Sequence, residues 1–274
     1  SGEKKSQLDI LKDGESTKLI DIGNGVASVS FKTKMNVLSS SVLTELPECL
    51  DYLETNGFHA LIIRQEQEHF CAGANLYEVI SAIKLGLLEK DPGLTSKAKK
   101  KAFEVMHPDL PKLGKLYSIK KTVRMLQDLL MRLKHGKLLT IAAVDGLALG
   151  GGCELLLHCN RVVASMNSFI GLVEVGIGGI PAGCGSKEMA LRAYLNKESD
   201  DIFPLLSKHF EQIAMAKVSA SALEAREMGF LKSEDVIIAN PNELLYVAKQ
   251  QALAMLESGY KSPLDDTFKV VGKA

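Results

Sequence analysis

The stretch Asp145-Gly-Leu-Ala-Leu-Gly-Gly-Gly-Cys-Glu154 constrains this chain more than any other. Before it, Leu138–Val144 is an apolar run that reads as a buried strand; after the glycines, Cys153–His158 reads as a short helix and Arg161–Ala164 as another strand. Strand, helix and strand in that order make a βαβ unit with a parallel pair, so the expected class is α/β. Three successive glycines allow close backbone approach to a ligand. Amide N–H groups at the start of the incoming helix would point at developing negative charge. Glu154 stands at that charge centre, and Glu174 lies in Phe169-Ile-Gly-Leu-Val-Glu-Val-Gly-Ile-Gly-Gly-Ile-Pro181, where every neighbour is apolar or glycine. Two such carboxylates suggest acid–base chemistry. The plainer alternatives are a Glu154 that only complements a helix N-terminus and a Glu174 held in a structural hydrogen bond, the second being rarer because an unpaired buried carboxylate is costly.

Composition narrows the class further. In 274 residues, 46% are hydrophobic and 24% charged, enough for a sizeable core in one large domain or a domain with an appendage. Lys plus Arg and Asp plus Glu both total 33, so net charge points to neither nucleic acid nor a membrane surface. The five cysteines, 49, 71, 153, 159 and 184, are odd in number and have no Cys-x-x-Cys spacing, which fits a reducing, cytoplasmic compartment. No apolar run approaches the roughly 18 residues of a membrane span.

Along the chain, residues 1–18 are polar and lysine-rich and read as a linker, with folding expected from 19 to 274. Ala27–Phe31 alternates apolar and polar residues and reads as a half-buried strand, His59–Arg64 reads as a short apolar strand, and Ser39–Asn56 between them as a helix with Pro47 a candidate kink. Ile119, Val123, Leu126, Leu130 and Leu133 make one apolar helix face. Ser221-x-x-Glu224 opens a helix that Gly229 ends, and Asn240-Pro241-x-Glu243 opens another that Gly259 ends. Residues 81–118 are the least regular part and read as an insertion or lid. Residues 84–121 carry ten lysines against four acidic residues. Lysines 97 and 99–101 suit a solvated face, contact with coenzyme A phosphates, or RNA; without interleaved aromatics the RNA signal is poor.

Three motifs in order, Phe70-Cys-Ala-Gly-Ala-Asn-Leu76, Ile141-Ala-Ala-Val-Asp-Gly-Leu-Ala-Leu-Gly-Gly-Gly-Cys-Glu154 and the Glu174 stretch ending Ile180-Pro181, resemble the crotonase (enoyl-CoA hydratase/isomerase) superfamily over most of residues 20–260. Asp21-Ile-Gly-Asn-Gly-Val, Lys34-Met-Asn-Val-Leu, Ile213-Ala-Met-Ala-Lys-Val-Ser and Ala225-Arg-Glu-Met-Gly-Phe look most like the hydratase portion of fused 3-hydroxyacyl-CoA dehydrogenase/enoyl-CoA hydratases. The resemblance implies an α/β crotonase-type fold of stacked ββα turns. It implies addition of water to a trans-2-enoyl-CoA in fatty-acid β-oxidation, with Glu174 giving a proton to the α-carbon and Glu154 activating water. Ala74 N–H and Gly151 N–H would form the oxyanion hole, and Ala72, Asn75, Leu76 and Gly150 would touch substrate. Coenzyme A enters as part of the substrate, and no redox cofactor or metal is implied.

Relatives continue beyond Tyr260-Lys-Ser-Pro into helices that complete the acyl pocket and build a trimer, so this chain looks C-terminally truncated or part of a longer polypeptide. The expected partners are the acyl-CoA thioester, a fused dehydrogenase and, in the intact protein, further copies of itself; no membrane or nucleic-acid partner is expected. An enoyl-CoA isomerase stays open as an alternative, although such relatives generally work with one acidic residue. So does a non-catalytic or RNA-binding module on the same fold. Asn75 stands where the family usually has aspartate. Cys71, Cys153 and Cys184 are expected to be packing residues with no histidine base near them in sequence. His158, four residues after Glu154, invites a metal site but lacks a third ligand.

Overall fold

The computed structural model describes residues 9–80, 119–196, 201–264 and 268. Seven strands form one sheet in the order β1 (Asp9–Asp13), β2 (Thr17–Asp21), β3 (Val26–Phe31), β4 (Ala60–Arg64), β5 (Leu139–Val144), β7 (Arg161–Ser165) and β9 (Val236–Ile238). The first two pairings are antiparallel and the other four parallel. Numbered through the described residues, the α-helices are α1 (Ser40–Thr55), α2 (Ile119–His135), α3 (Gly151–Leu157), α4 (Gly185–Leu195), α5 (Phe203–Ala214), α6 (Ala222–Glu227) and α7 (Leu244–Glu257).

All six residues of β3 and all six of β5 are buried, as a sheet covered on both faces demands. The half-buried strand expected at Ala27–Phe31 is thereby corrected: Ser28 and Ser30 are buried too. Side chains alternate across such a sheet. Leu61, Ile63, Ala142 and Val144 therefore pack with α1 and α2, while Ala60, Ile62, Ile141 and Ala143 pack under Ala248, Ala252 and Met255 of α7. Each fully buried leucine or isoleucine contributes about 1.5–3 kcal/mol relative to exposure. The βαβ unit read from the sequence is present: β5 and β7 pair in parallel, Ile141 opposite Arg161. Asn160 fixes its crossing point, taking the Thr140 N–H at 2.8 Å and donating to Lys134 O at 3.1 Å.

The expected caps form. Ser221 accepts from Glu224 N and Asn240 from Asn242 N, and Gly229 and Gly259 have the positive φ of helix-ending residues. Ser39, not singled out in the sequence, caps α1 by accepting from Val42 N. Helix α1 runs unbroken through Pro47.

The linker expected over 1–18 is corrected from residue 9 onward, because Asp9–Asp13 is a strand and Thr17 opens the next. Lys18 reaches Glu66 at 3.1 Å and Lys12 reaches Glu48 of α1 at 3.6 Å, while Thr17 and Leu19 are buried toward α1. Glu45 of α1 then ties the turn down by accepting the amides of Ser16 and Thr17 and the Thr17 hydroxyl. The expected insertion or lid at 81–118, and most of the basic 84–121 segment, fall outside the described residues.

Two short strands escaped the sequence pattern. β6 (Leu147–Leu149) pairs in parallel with β8 (Phe169–Gly171), and Cys71 bridges to Ala148 on β6. This small stack brings the 71–75 loop onto the glycine turn.

Candidate active site

The glycine turn is built by backbone alone. Gly150 has φ 52° and ψ −124°, a region closed to most side chains, and its N–H donates to Gly171 O at 2.8 Å. Glu154 N then donates back to Gly150 O at 2.9 Å and starts α3, which leaves the amides of the first turn without helical partners. A Cβ on Gly152 would lie 2.3 Å from Cys71 O, so only glycine lets the 71–75 loop come this close.

That loop has an unspent amide of its own. Leu38 bridges Ala74 by donating to Gly73 O at 2.8 Å and accepting from Asn75 N at 3.2 Å, a parallel pattern that turns Ala74 N the other way. It faces the glycine turn: a Cβ on Gly151 would stand 3.6 Å from Ala74 N, and one on Gly73 would stand 3.6 Å from Gly151 N. Two donors side by side, without acceptors among the described residues, suit an anionic oxygen.

Both carboxylates flank these donors. Glu154 is only 2% exposed, and its Oε1 accepts from Gly185 N at 2.9 Å. Burial, and then the charge of Glu174, push its carboxyl up to about 8, while the amides of Gly185 and Gly183 pull it down. Glu174 opens a 3-10 turn, Glu174–Ile177, and parts of its stem are open to solvent. Its two carboxylate oxygens are buried and have no well-aligned hydrogen bond among the described residues, although the backbone amides of Val173 and Glu174 stand near enough to favour the ionised form. Burial raises its carboxyl as well.

Beside the donors lies a cavity of about 600 Å³, including the part open to solvent, lined by Leu38, Leu43, Ala74, Val79, Val123 and Leu126 among others. Leu126 also reaches Glu154. A Cβ on Gly183 would lie 2.7 Å from Leu126 Cδ2 and 2.5 Å from Glu154 Oε2, so the apolar wall and the acid are contiguous.

Of the residues expected to touch substrate, Gly150 lies against Glu174 and Asn75 lines the cavity. Asn75 is also paired with Glu78, donating from Nδ2 to Oε1 at 3.0 Å while its Oδ1 accepts the Glu78 amide at 3.4 Å, so it closes the first turn of the helix at 76–80. Ala72 gives its amide to Met35 O, and Leu76 is exposed at the head of that helix.

Cys71, Cys153 and Cys159 are buried, and burial pushes their thiols up, to about 12 for Cys71 and Cys159. Protonated thiols of this kind are poor nucleophiles. His158 does not turn its ring to the Glu154 carboxylate: its Nδ1 lies 2.7 Å from the Glu154 backbone oxygen, and burial pushes its ionisation down to about 4. Among the described residues, no three His, Cys, Asp or Glu side chains are grouped to hold a metal ion. Gly183 and Gly185, which cradle Glu154, were missed in the sequence. So was Gln127, whose Nε2 donates to Ala182 O at 2.7 Å. The Pro-Ala-Gly-Cys-Gly run after Ile180 was the one signal available.

Comparison with known proteins gives the same direction. The family model described as Enoyl-CoA hydratase/isomerase matches residues 109–233. A Bacillus subtilis protein named Probable 3-hydroxyacyl-CoA dehydrogenase is 33% identical over 272 residues, 98% of this chain and 30% of that protein. Another B. subtilis protein, Probable enoyl-CoA hydratase, is 32% identical over 155 residues, 56% of this chain and 48% of that protein. The chain thus spans less than half the length of either curated relative. An enoyl-CoA hydratase structure from Bacillus anthracis superposes with a TM-score of 0.62 at 22% identity, covering 88% of this chain and 77% of that one, a likeness of fold. No described helix is long and apolar enough to cross a membrane.

Proposed function

We propose that this chain, which belongs to the crotonase superfamily, adds water across the double bond of a trans-2-enoyl-CoA to give the 3-hydroxyacyl-CoA. The observation that carries this is the pairing of two buried carboxylates with two unspent amides across one glycine turn. A thioester oxygen seated between Ala74 N–H and Gly151 N–H gains negative charge when water attacks the β-carbon. Donors fixed in advance stabilise that charge, and losing one typically costs on the order of 3 kcal/mol.

Proton bookkeeping calls for two roles. Water loses a proton as its oxygen bonds to the β-carbon, and the α-carbon gains one as the enolate collapses, so one base and one acid are required. The Gly185 amide favours the ionised form of Glu154, and the backbone amides of Val173 and Glu174 favour that of Glu174. Burial raises both carboxyls, and the charge of Glu174 raises Glu154 further, so the pair carries one proton between them in this reading. As the family resemblance implies, Glu154 is the base that takes the proton of water and Glu174 the acid that supplies one to the α-carbon. Proton transfer alone completes the reaction, with no redox cofactor or metal.

Ala72, Asn75, Leu76 and Gly150 are placed along the thioester in this reading, and the neighbouring apolar cavity takes the start of the acyl chain. The match to the dehydrogenase-named relative, covering 98% of this chain and 30% of that protein, supports a 3-hydroxyacyl-CoA dehydrogenase in the same polypeptide, which would consume the product. The test is loss of the conjugated enone absorbance when purified protein meets crotonyl-CoA, with product identified by mass. No hydration, or migration of a 3-enoyl double bond without hydration, would reject the proposal.

A further inference from the structure

We propose that the Lys134–Glu188 ion pair is a positioning device for Glu154, fixing the turn of α4 whose backbone amide holds the Glu154 carboxylate. The inference rests on the hydration reading only in taking Glu154 as the group that matters. Glu188 lies in the first turn of α4 with its side chain 3% exposed, and Lys134 Nζ, from the last turn of α2, stands 2.7 Å and 2.9 Å from its two oxygens. Burying such a pair gains little stability over a well-packed apolar pair, because desolvation offsets the attraction. What the pair does supply is a defined distance between α2 and α4.

That distance matters because of what α4 carries at its start. Gly185, its first residue, gives its N–H to Glu154 Oε1 at 2.9 Å, and Glu188 N closes the same turn on Cys184 O at 2.9 Å. A second tether from α2 runs alongside, Gln127 Nε2 to Ala182 O at 2.7 Å. From α3, His158 joins the same point, with Nε2 3.6 Å from Glu188 Oε1 and Nδ1 2.7 Å from the Glu154 backbone oxygen. Helices α2, α3 and α4 thus meet at Glu188, and the Glu154 carboxylate is clamped among them. Lys134 and Glu188 act through Gly185, so they are positioning residues and not catalytic ones.

Lys134→Met separates tethering from neutralisation. Lys187, on the same helix as Glu188, remains 3.0 Å from it, so the carboxylate keeps a countercharge while the link to α2 is lost. The first readout needs no turnover: the infrared carboxyl band of Glu154, identified by its absence in Glu154→Gln, is followed with pH. Glu174, Cys153 and Cys184 are the titratable groups whose ionisation is coupled to Glu154. Because the Gly185 N–H favours the ionised form, loosening it should move the Glu154 midpoint upward. The second readout is crotonyl-CoA hydration, in which kcat should fall by roughly 10- to 100-fold, the scale of a misplacement near 1 Å, with KM within about twofold.

Lys134→Arg should restore both. Should Lys134→Met fail to fold, Gln127→Leu cuts the second tether and should shift the same two quantities in the same directions. An unmoved Glu154 titration together with unchanged kcat in a folded variant overturns the proposal, as does a loss that Lys134→Arg does not rescue. A wild-type protein without hydratase activity would reject the functional reading instead, leaving the infrared titration to decide the positioning role.

Discussion

A methyl group on Gly150 would sit 3.2 Å from Glu174 Oε1, so the residue that turns the chain into α3 also forms the floor under the proposed acid. Gly150→Ala should therefore do two things. It should destabilise the fold by about 1–3 kcal/mol, the cost of a side chain at φ 52° and ψ −124°, and it should displace the Glu174 carboxyl and lower kcat. A variant with unchanged melting temperature and unchanged turnover would show that neither constraint operates.

Replacing either carboxylate tests the acid–base assignment directly. Glu154→Gln and Glu174→Gln keep the side-chain volume, so circular dichroism should match the wild type while hydration falls by roughly 100-fold or more. Near-normal hydration by either variant would remove that residue from the mechanism.

Stability should carry a signature of the buried carboxyl. Glu154 is raised from 4.5 to about 8 in the folded chain, so between those values the folded state holds a proton that the unfolded state has released. Stability is then highest below the unfolded value and declines as pH rises toward 8, by up to about 1.4 kcal/mol per pH unit for one fully engaged group. Denaturant titrations of wild type and Glu154→Gln should diverge in slope across this window. Parallel curves would falsify the shift.

His158 should act in the opposite sense and in a lower window. Its ionisation is lowered from 6.5 to about 4, so between those values the unfolded chain binds the extra proton and acidification destabilises the fold. His158→Gln should flatten stability against pH between about 4 and 6.5. The wild-type slope surviving in that variant would assign the effect elsewhere.

The sheet's second face offers a test of packing. Ile62 is fully buried on β4, in the cluster formed with α7. Ile62→Ala should cost about 2–5 kcal/mol through lost burial and a residual cavity. A loss under about 0.5 kcal/mol in urea unfolding, the range of surface substitutions, would mean that α7 does not cover this face.

What the sequence decided by itself is local and periodic. The largely apolar run Leu138–Val144 marks a buried strand, whereas the alternation of Ala27–Phe31 reads as a half-buried one although the sheet is covered on both faces there. Ser221 marks a helix start because a hydroxyl oxygen can accept an orphan amide three residues on. The glycine triplet and both glutamates were legible for the same reason: unusual residues in an apolar run stand out without a partner. The three-residue strands β6 and β8 were not, since a segment so short shows no period. Nor was β1, whose Lys and Asp residues are those of an exposed edge strand and read equally well as a linker. Tertiary structure alone decided what surrounds the carboxylates. Gly185 reaches Glu154 across 31 residues and Lys134 reaches Glu188 across 54, and such contacts depend on where helices dock, which no local pattern encodes.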